Sequence, residues 1–343
     1  MLVKLSFPKG QMQPVDLSQF TGNQEWEIDG CRFVYGKHVR RADAWFVIED
    51  CDDGDIFCEV AVGMTFFASS ETGWPADIYT QRGHLEFLQQ FDFVYANQAV
   101  MLKNSAPKPP FLPWMVNGNQ GGVLVPHERD LGFLQALDSV EKLKPLSVFC
   151  STQSWNAEHR LRLRFVESLK DYFGEDLDWF GNGIHPVDTK WEGLAKYERT
   201  IVLENRNTTD VVSEKLIDAF LSLSEPIYWG APNASAYFPV NPENIIDIRD
   251  FEGSARKIAG LMRKPITSNA HADLIRGKNM ALNDMHFLRR FARIAKSHQS
   301  TAGQNHEKVL VSRARLTSPS SPRGKASARV HSLLRRGAHR FRG

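Results

Sequence analysis

Two kinds of apolar spacing alternate along the chain. In residues 1–135 the apolar runs are short: "LVKLSF" (2–7), "RFVYG" (32–36), "AWFVIE" (44–49), "VGMTFFAS" (62–69) and "FDFVYAN" (91–97). Their length and their β-branched and aromatic content predict strands. The proline-rich "APKPPFLPW" (106–114) predicts an extended loop, because proline blocks helix and central strand alike. From 145 to 262 the pattern is more regular. "LSVFC" (146–150), a helix near 157–172 and "LDWFG" (177–181) make one strand–helix–strand unit. "RTIVLE" (199–204), a helix near 211–223 and "PIYWG" (226–230) make the next. Parallel strands joined by helical crossovers predict an open, mainly parallel sheet. Residues 273–298 predict one helix that packs back across the body.

The fold class is therefore α/β. A length of 343 residues with 42% hydrophobic and 24% charged side chains suggests two domains. The boundaries fall at 1–140 and 141–265, followed by the returning helix at 266–300 and a tail at 301–343. With such a sheet in each half, the ligand belongs in a cleft between them, at the carboxyl ends of the strands.

Charge separates the tail from the rest. The net charge is +2, yet Lys308 to Gly343 holds ten Lys/Arg and no Asp/Glu, leaving 32 basic against 40 acidic residues before it. After about residue 300, Ser, Pro, Gly and Arg dominate, which predicts disorder. Within "RVHSLLRRGAHRFRG", Val330, Leu333, Leu334 and Phe341 share one helical face among arginines. Such a segment suits an anionic membrane surface, so residues 308–343 are expected to bind one. Phe341 is the lone aromatic there, which argues against specific nucleic acid recognition. The start, "MLVKLSFPKG", carries no charged-then-apolar leader, and no run of about 18 apolar residues occurs. The expected location is cytoplasmic, peripheral on the inner face of the cell membrane. Cys31, Cys51, Cys58 and Cys150 form no CxxC pair and are expected as free thiols.

The candidate chemistry lies in "VLENRNTTDVVSEKLIDAF" (202–220). Glu204 and Asn205 fall at the carboxyl edge of a strand. Asp210 is the expected N-cap of the following helix, with Val212, Leu216, Phe220 and Leu223 as its buried stripe. Glu214 and Lys215 then lie in the first turns. A helix start with unpaired N–H groups and a lysine makes an anion site, most simply for phosphate. A carboxylate beside it suits the vicinal hydroxyls of a ribose or sugar, so the combination suggests a sugar nucleotide. The same pair also fits a solvated helix face.

More than spacing is involved. "LEN" (203–205), "SEK" (213–215), "PIYWGAPNASAYFP" (226–239) and "IIDIRDF" (245–251) resemble, in order, the motif segments of glycosyltransferase family 10, the α1,3/1,4-fucosyltransferases. "RLRFVESL" (162–169) resembles the family's arginine-bearing helix and "FGNG" (180–183) its glycine-containing strand end. The resemblance covers about 150–262 well and 60–115 faintly. It implies two Rossmann-like domains of GT-B type facing a cleft, the first on the acceptor side. It also implies inverting transfer of L-fucose from GDP-fucose to a hydroxyl of a glycan acceptor, lipopolysaccharide or another surface glycan. Lys215 and Arg162 would hold the diphosphate, with Arg160 as the alternative arginine. Glu214 would contact ribose or fucose and Asn205 would line the donor pocket, with Glu204 as the alternative. Glu71, in "SSETGWPADIY" (69–79), would be the catalytic base, with Asp77 in reserve. Val211 stands where the family usually has an aromatic, so no ring is available there to stack near the nucleotide.

"EDCDDGD" (49–55) contains Asp50-x-Asp52 and Asp53-x-Asp55, a spacing that in other transferases holds Mn²⁺ or Mg²⁺ on a diphosphate. It also reads as a solvated acidic turn. The expectation is no required cofactor and no metal site, a divalent ion being at most a stimulant. No GxGxxG or GxxxxGK[ST] is present, which argues against a nicotinamide enzyme and a P-loop ATPase. The alternatives are a transferase for another sugar nucleotide, a metal-dependent one using the acidic loop, or a non-catalytic nucleotide- or glycan-binding protein at the membrane.

Overall fold

Strand-forming runs assemble into three sheets in the computed structural model, which describes residues 1–311 apart from 8–15, 51–55, 71–81, 98–99, 101, 119–128, 155–156, 186 and 304. The first part of the chain supplies β1 (Leu2–Ser6), α1 (Ser18–Thr21), β2 (Glu27–Ile28), β3 (Cys31–Tyr35), β4 (Arg41–Ala42), β5 (Ala44–Ile48), β6 (Phe57–Ala61), β7 (Thr65–Ala68), α2 (Arg82–Leu88), β8 (Phe93–Ala96), β9 (Ser105–Pro107) and α3 (Leu131–Ala136). The second supplies β10 (Lys144–Phe149), α4 (Ala157–Phe173), β11 (Leu177–Phe180), β12 (Tyr197–Leu203), α5 (Glu214–Leu221), β13 (Glu225–Trp229), α6 (Phe251–Met262), α7 (Ser268–Asn283), α8 (Phe287–Gln299) and β14 (His306–Leu310).

Seven strands in the order β2-β3-β1-β5-β7-β8-β9 form the first sheet. Its pairings are parallel except β2 with β3. Central β5 is buried along its whole length, as a parallel strand covered on both faces must be. The proline-rich stretch is not all loop. Ala106 and Pro107 belong to β9, an edge strand, where proline is tolerated. Buried Arg290 of α8 then holds the stretch in place, donating to the carbonyls of Pro110 (2.7 Å) and Pro109 (2.5 Å).

The second sheet has the order β11-β10-β12-β13, all parallel. Strands and crossovers fall where the periodicity predicts them. The two crossover helices cover opposite faces. On one face α4 packs with α6 over a core of Leu146, Val148, Phe165, Leu169 and Ile258. On the other, α5 packs with α7, in an apolar cluster continuous with that of the seven-stranded sheet.

Three further expectations about the elements need correction. The region 273–298 is not one helix. α7 ends at Asn283 and α8 begins at Phe287, with the His286 side chain capping the Arg289 N–H. The break lets two apolar stripes face different neighbours: Leu274 and Ala281 join the α5 side, while Phe291 packs on Phe46 and Phe111 at ring separations of 4.7 and 4.9 Å. The tail does not begin at 301. β14 pairs antiparallel with β6, and Val311 is buried beyond it. The apolar run "VLV" (309–311) supports the strand despite the basic composition around it. The third concerns α5, whose start is at Glu214 and not near 211. The rest of the tail lies outside the described residues.

Candidate functional site

In the order β11-β10-β12-β13 the chain reverses direction between β10 and β12. From β10 it crosses through α4 to one side, and from β12 through α5 to the other. The carboxyl ends of these two strands therefore open a crevice flanked by two helix starts, the place where open parallel sheets bind ligands. At the β10 end, Gly181 (φ +147°) allows a close approach, since a Cβ there would lie 2.5 Å from the Cys150 carbonyl oxygen.

Glu204, just after β12, does not face the crevice. Its side chain is wholly buried and accepts from the Ser213 N–H at 2.8 Å and the Ser213 hydroxyl at 2.5 Å. Burial pushes its carboxyl up from the usual glutamate range, against the pull of the Lys215 ammonium. This anchor decides where α5 starts. Ser213, held by Glu204, caps the helix by accepting from the Lys215 N–H. Asp210, the expected cap, has φ +65° and serves another purpose. Its carboxylate accepts from the Asn233 amide (2.6 Å) and the Tyr237 hydroxyl (2.5 Å), tying the loop after β12 to the segment after β13. Only glycine fits at 230, where a Cβ would meet the Glu204 side chain and the Tyr228 hydroxyl.

The α5 start places Glu214 and Lys215 at the crevice. The Lys215 ammonium donates to Glu214 Oε1 at 3.0 Å and to Ser213 Oγ at 3.3 Å. Burial opposes ionisation of Glu214, yet Lys215 and Lys190 outweigh it and hold its carboxyl down at about 2. Burial likewise works against charge on Lys215, and Glu214 and Glu204 overcome it, so its ammonium titrates above the ordinary lysine range. Across the crevice, Arg162 of α4 donates to the Leu203 carbonyl at 3.2 Å. Its Nε is buried and has no hydrogen-bond partner among the described residues, which leaves a donor for an anionic ligand to use. Arg160 does not join them: it is exposed and donates to the Ser154 carbonyl. Asn205 is half-buried beside the end of β12. Glu71, Asp77 and residues 51–55 of the acidic loop lie outside the described residues.

The structure adds residues that spacing does not reveal. Asp218, one turn after Glu214, is 1% exposed and accepts from the Met115 N–H at 2.7 Å. It also pairs with the Lys190 ammonium at 3.4 Å. Burial pushes its carboxyl up to about 6. His159, in the first turn of α4, shares a helical face with Arg162. The one available signal was the serine directly before "EK", a cap residue followed by a first-turn acid.

A parallel α/β unit with two cations and a helix start at its switch point has the chemistry to accept a phosphorylated ligand. Residues 141–271 match the profile of glycosyltransferase family 10 (fucosyltransferase), C-terminal domain. The α-(1,3)-fucosyltransferase FucT of Helicobacter pylori is 33% identical over 89 residues, which are 26% of this chain and 18% of that enzyme. The chain thus spans less than a fifth of that relative's length. Two crystal structures of α1,3-fucosyltransferase, one of them with GDP-fucose, align with 86% of this chain and 90% of theirs, at 17% identity and TM-scores of 0.47 and 0.45.

Proposed function

We propose that the protein is an inverting glycosyltransferase that moves L-fucose from GDP-fucose to a hydroxyl of a surface glycan. One observation carries the reading: Arg162 and Lys215, from two different crossover helices, converge on the switch point inside the family 10 segment. The two parallel sheets are read as the Rossmann-like halves of a GT-B arrangement, with the acceptor entering from the seven-stranded side. Arg162 and Lys215 hold the diphosphate, on which negative charge grows as the bond to the anomeric carbon breaks. Glu214, kept ionised, accepts from ribose or fucose hydroxyls, and Asn205 lines the same pocket. Two side-chain cations supply the charge stabilisation, so no divalent ion is required in this reading.

The acceptor hydroxyl attacks in line while a carboxylate removes its proton within the transition state, because the free hydroxyl is far too weak an acid to ionise first. Glu71 is the proposed base and Asp77 the reserve. The basic segment beyond β14 is proposed to hold the enzyme against an anionic membrane on the cytoplasmic side. Among the described residues no helix is long and apolar enough to cross a membrane.

Thermal stabilisation by GDP and not by UDP, together with fucose transfer across a panel of glycan acceptors, tests the proposal. Lys215→Ala should weaken GDP binding by tenfold or more and lower transfer with it. Glu71→Gln should leave GDP binding intact and remove most transfer. Equal stabilisation by UDP would redirect the donor assignment.

A further inference from the structure

Among the titratable groups described at the crevice, His159 is one that the proposed reaction leaves without a task. It lies in the first turn of α4, three residues before Arg162 and on the same face, with its ring half-buried. The charged groups that act on the ring come from every side of the crevice. Arg162 and Glu158 belong to its own helix, Arg206 follows β12, and Lys215 stands at the start of α5. Three of these four are cations. The carboxylates of Glu204 and Glu214 act on Arg162 and Lys215.

We propose, on the reading that the crevice binds a nucleoside diphosphate sugar, that His159 is a proton-linked donor-binding residue: neutral before the donor binds, it takes up one proton from solvent when the diphosphate enters and becomes a third cation on that group. The electrostatics of the protein alone support the first half. Burial, with Arg162 and Lys215 adding to it, holds the imidazole at about 4, so it is uncharged at neutral pH. The second half follows from what a diphosphate does there. It brings two negative charges to the two cations that keep the proton off. At an effective dielectric of about 20, each charge within about 5 Å favours the protonated ring on the order of a hundredfold. Two such charges carry the titration from about 4 across neutrality. The bound imidazolium then faces the oxygen on which charge accumulates as the sugar departs, the position where a fixed donor acts on the transition state. Arg162 and Lys215 are cations throughout; Asp218, pushed up to about 6 on the helix that presents Lys215, titrates in the same range, so the His159→Asn variant is what assigns the proton to the imidazole.

Calorimetric titration of the full chain with GDP-fucose tests this, run at pH 7 in buffers of widely different ionisation enthalpy. The donor is a diphosphate diester with no group of its own titrating near pH 7, so any proton exchanged belongs to the protein. The expected result is uptake of a substantial fraction of one proton per donor bound, with affinity falling about tenfold between pH 6 and pH 8. His159→Asn should abolish the uptake and flatten that dependence. Wild-type binding without buffer dependence overturns the proposal without recourse to any variant, and so does equal uptake by a folded His159→Asn. If the wild type gives no binding heat with GDP-fucose, the donor reading itself falls and takes this one with it.

Discussion

At the scale of single residues, the site is built on carboxylates whose burial sets opposite charge preferences. Glu214 and Asp218 lie one turn apart on α5, yet the first is held down at about 2 and the second pushed up to about 6. The difference comes from what each can reach. Two ammonium groups act on Glu214, and its side chain keeps 17% exposure. Asp218 is sealed, with the Met115 N–H and one lysine at 3.4 Å. Their effects on stability have opposite signs. Glu214 supports the fold above its usual 4.5, and that support is lost as pH falls through about 2. Asp218 favours the fold below its usual 3.8, and that contribution disappears as pH rises through about 6. Ionised Asp218 thus costs on the order of 3 kcal/mol at neutral pH. Asp218→Asn keeps an oxygen for Met115 and removes the charge. Relative to wild type, its unfolding free energy should rise between pH 4.5 and pH 7.5, by a few kcal/mol in denaturant titrations. A constant difference across that range would show that Asp218 does not titrate there.

At the scale of elements, the crossover unit was legible and its exact start was not. Strands β10 to β13 and helices α4 and α5 follow from apolar runs and periodicity alone, because a parallel strand buried on both faces must be apolar along its length. The cap of α5 depends on Glu204, nine residues upstream, and local spacing favours Asp210 equally well. The break between α7 and α8 carries neither glycine nor proline, so no local signal marks it. β14 hides in a basic stretch because its partner, β6, lies some 250 residues earlier in the chain. His159 and Asp218 were silent for the same reason: their character is conferred by Lys215, Lys190 and Met115 from other segments. The Glu204–Ser213 link makes a direct prediction. Ser213→Ala removes the cap and one partner of a buried carboxylate, and should destabilise the protein by about 2–3 kcal/mol, read as a fall in melting temperature. The same variant should weaken GDP binding, since the helix start that presents Lys215 frays. Ser213→Thr should restore most of both.

At the scale of the whole molecule, the C-terminal part of the described chain is structural. α7 packs on α5, and α8 returns to the seven-stranded sheet and carries Arg290, whose guanidinium donates to Pro109 and Pro110 and lies 3.9 Å from the Phe111 ring. β14 supplies β6 with a second neighbour, and the Val311 N–H donates to the Ile56 carbonyl. A chain ended after 311 should therefore melt like the full protein, while one ended after 300 should melt lower and aggregate through the bared edge of β6. Only the chain ended after 311 separates the tail's effect on anionic vesicles from damage to the fold. The contact between Met115 and Asp218 has a different use. It places one backbone amide, from the segment that follows the proline-rich stretch, on a buried carboxylate of the helix that presents Lys215. Exchange of that amide with deuterated solvent requires the contact to open. Its rate is thus a built-in gauge of how firmly the first part of the chain grips α5, readable at a single site with the donor pocket left untouched.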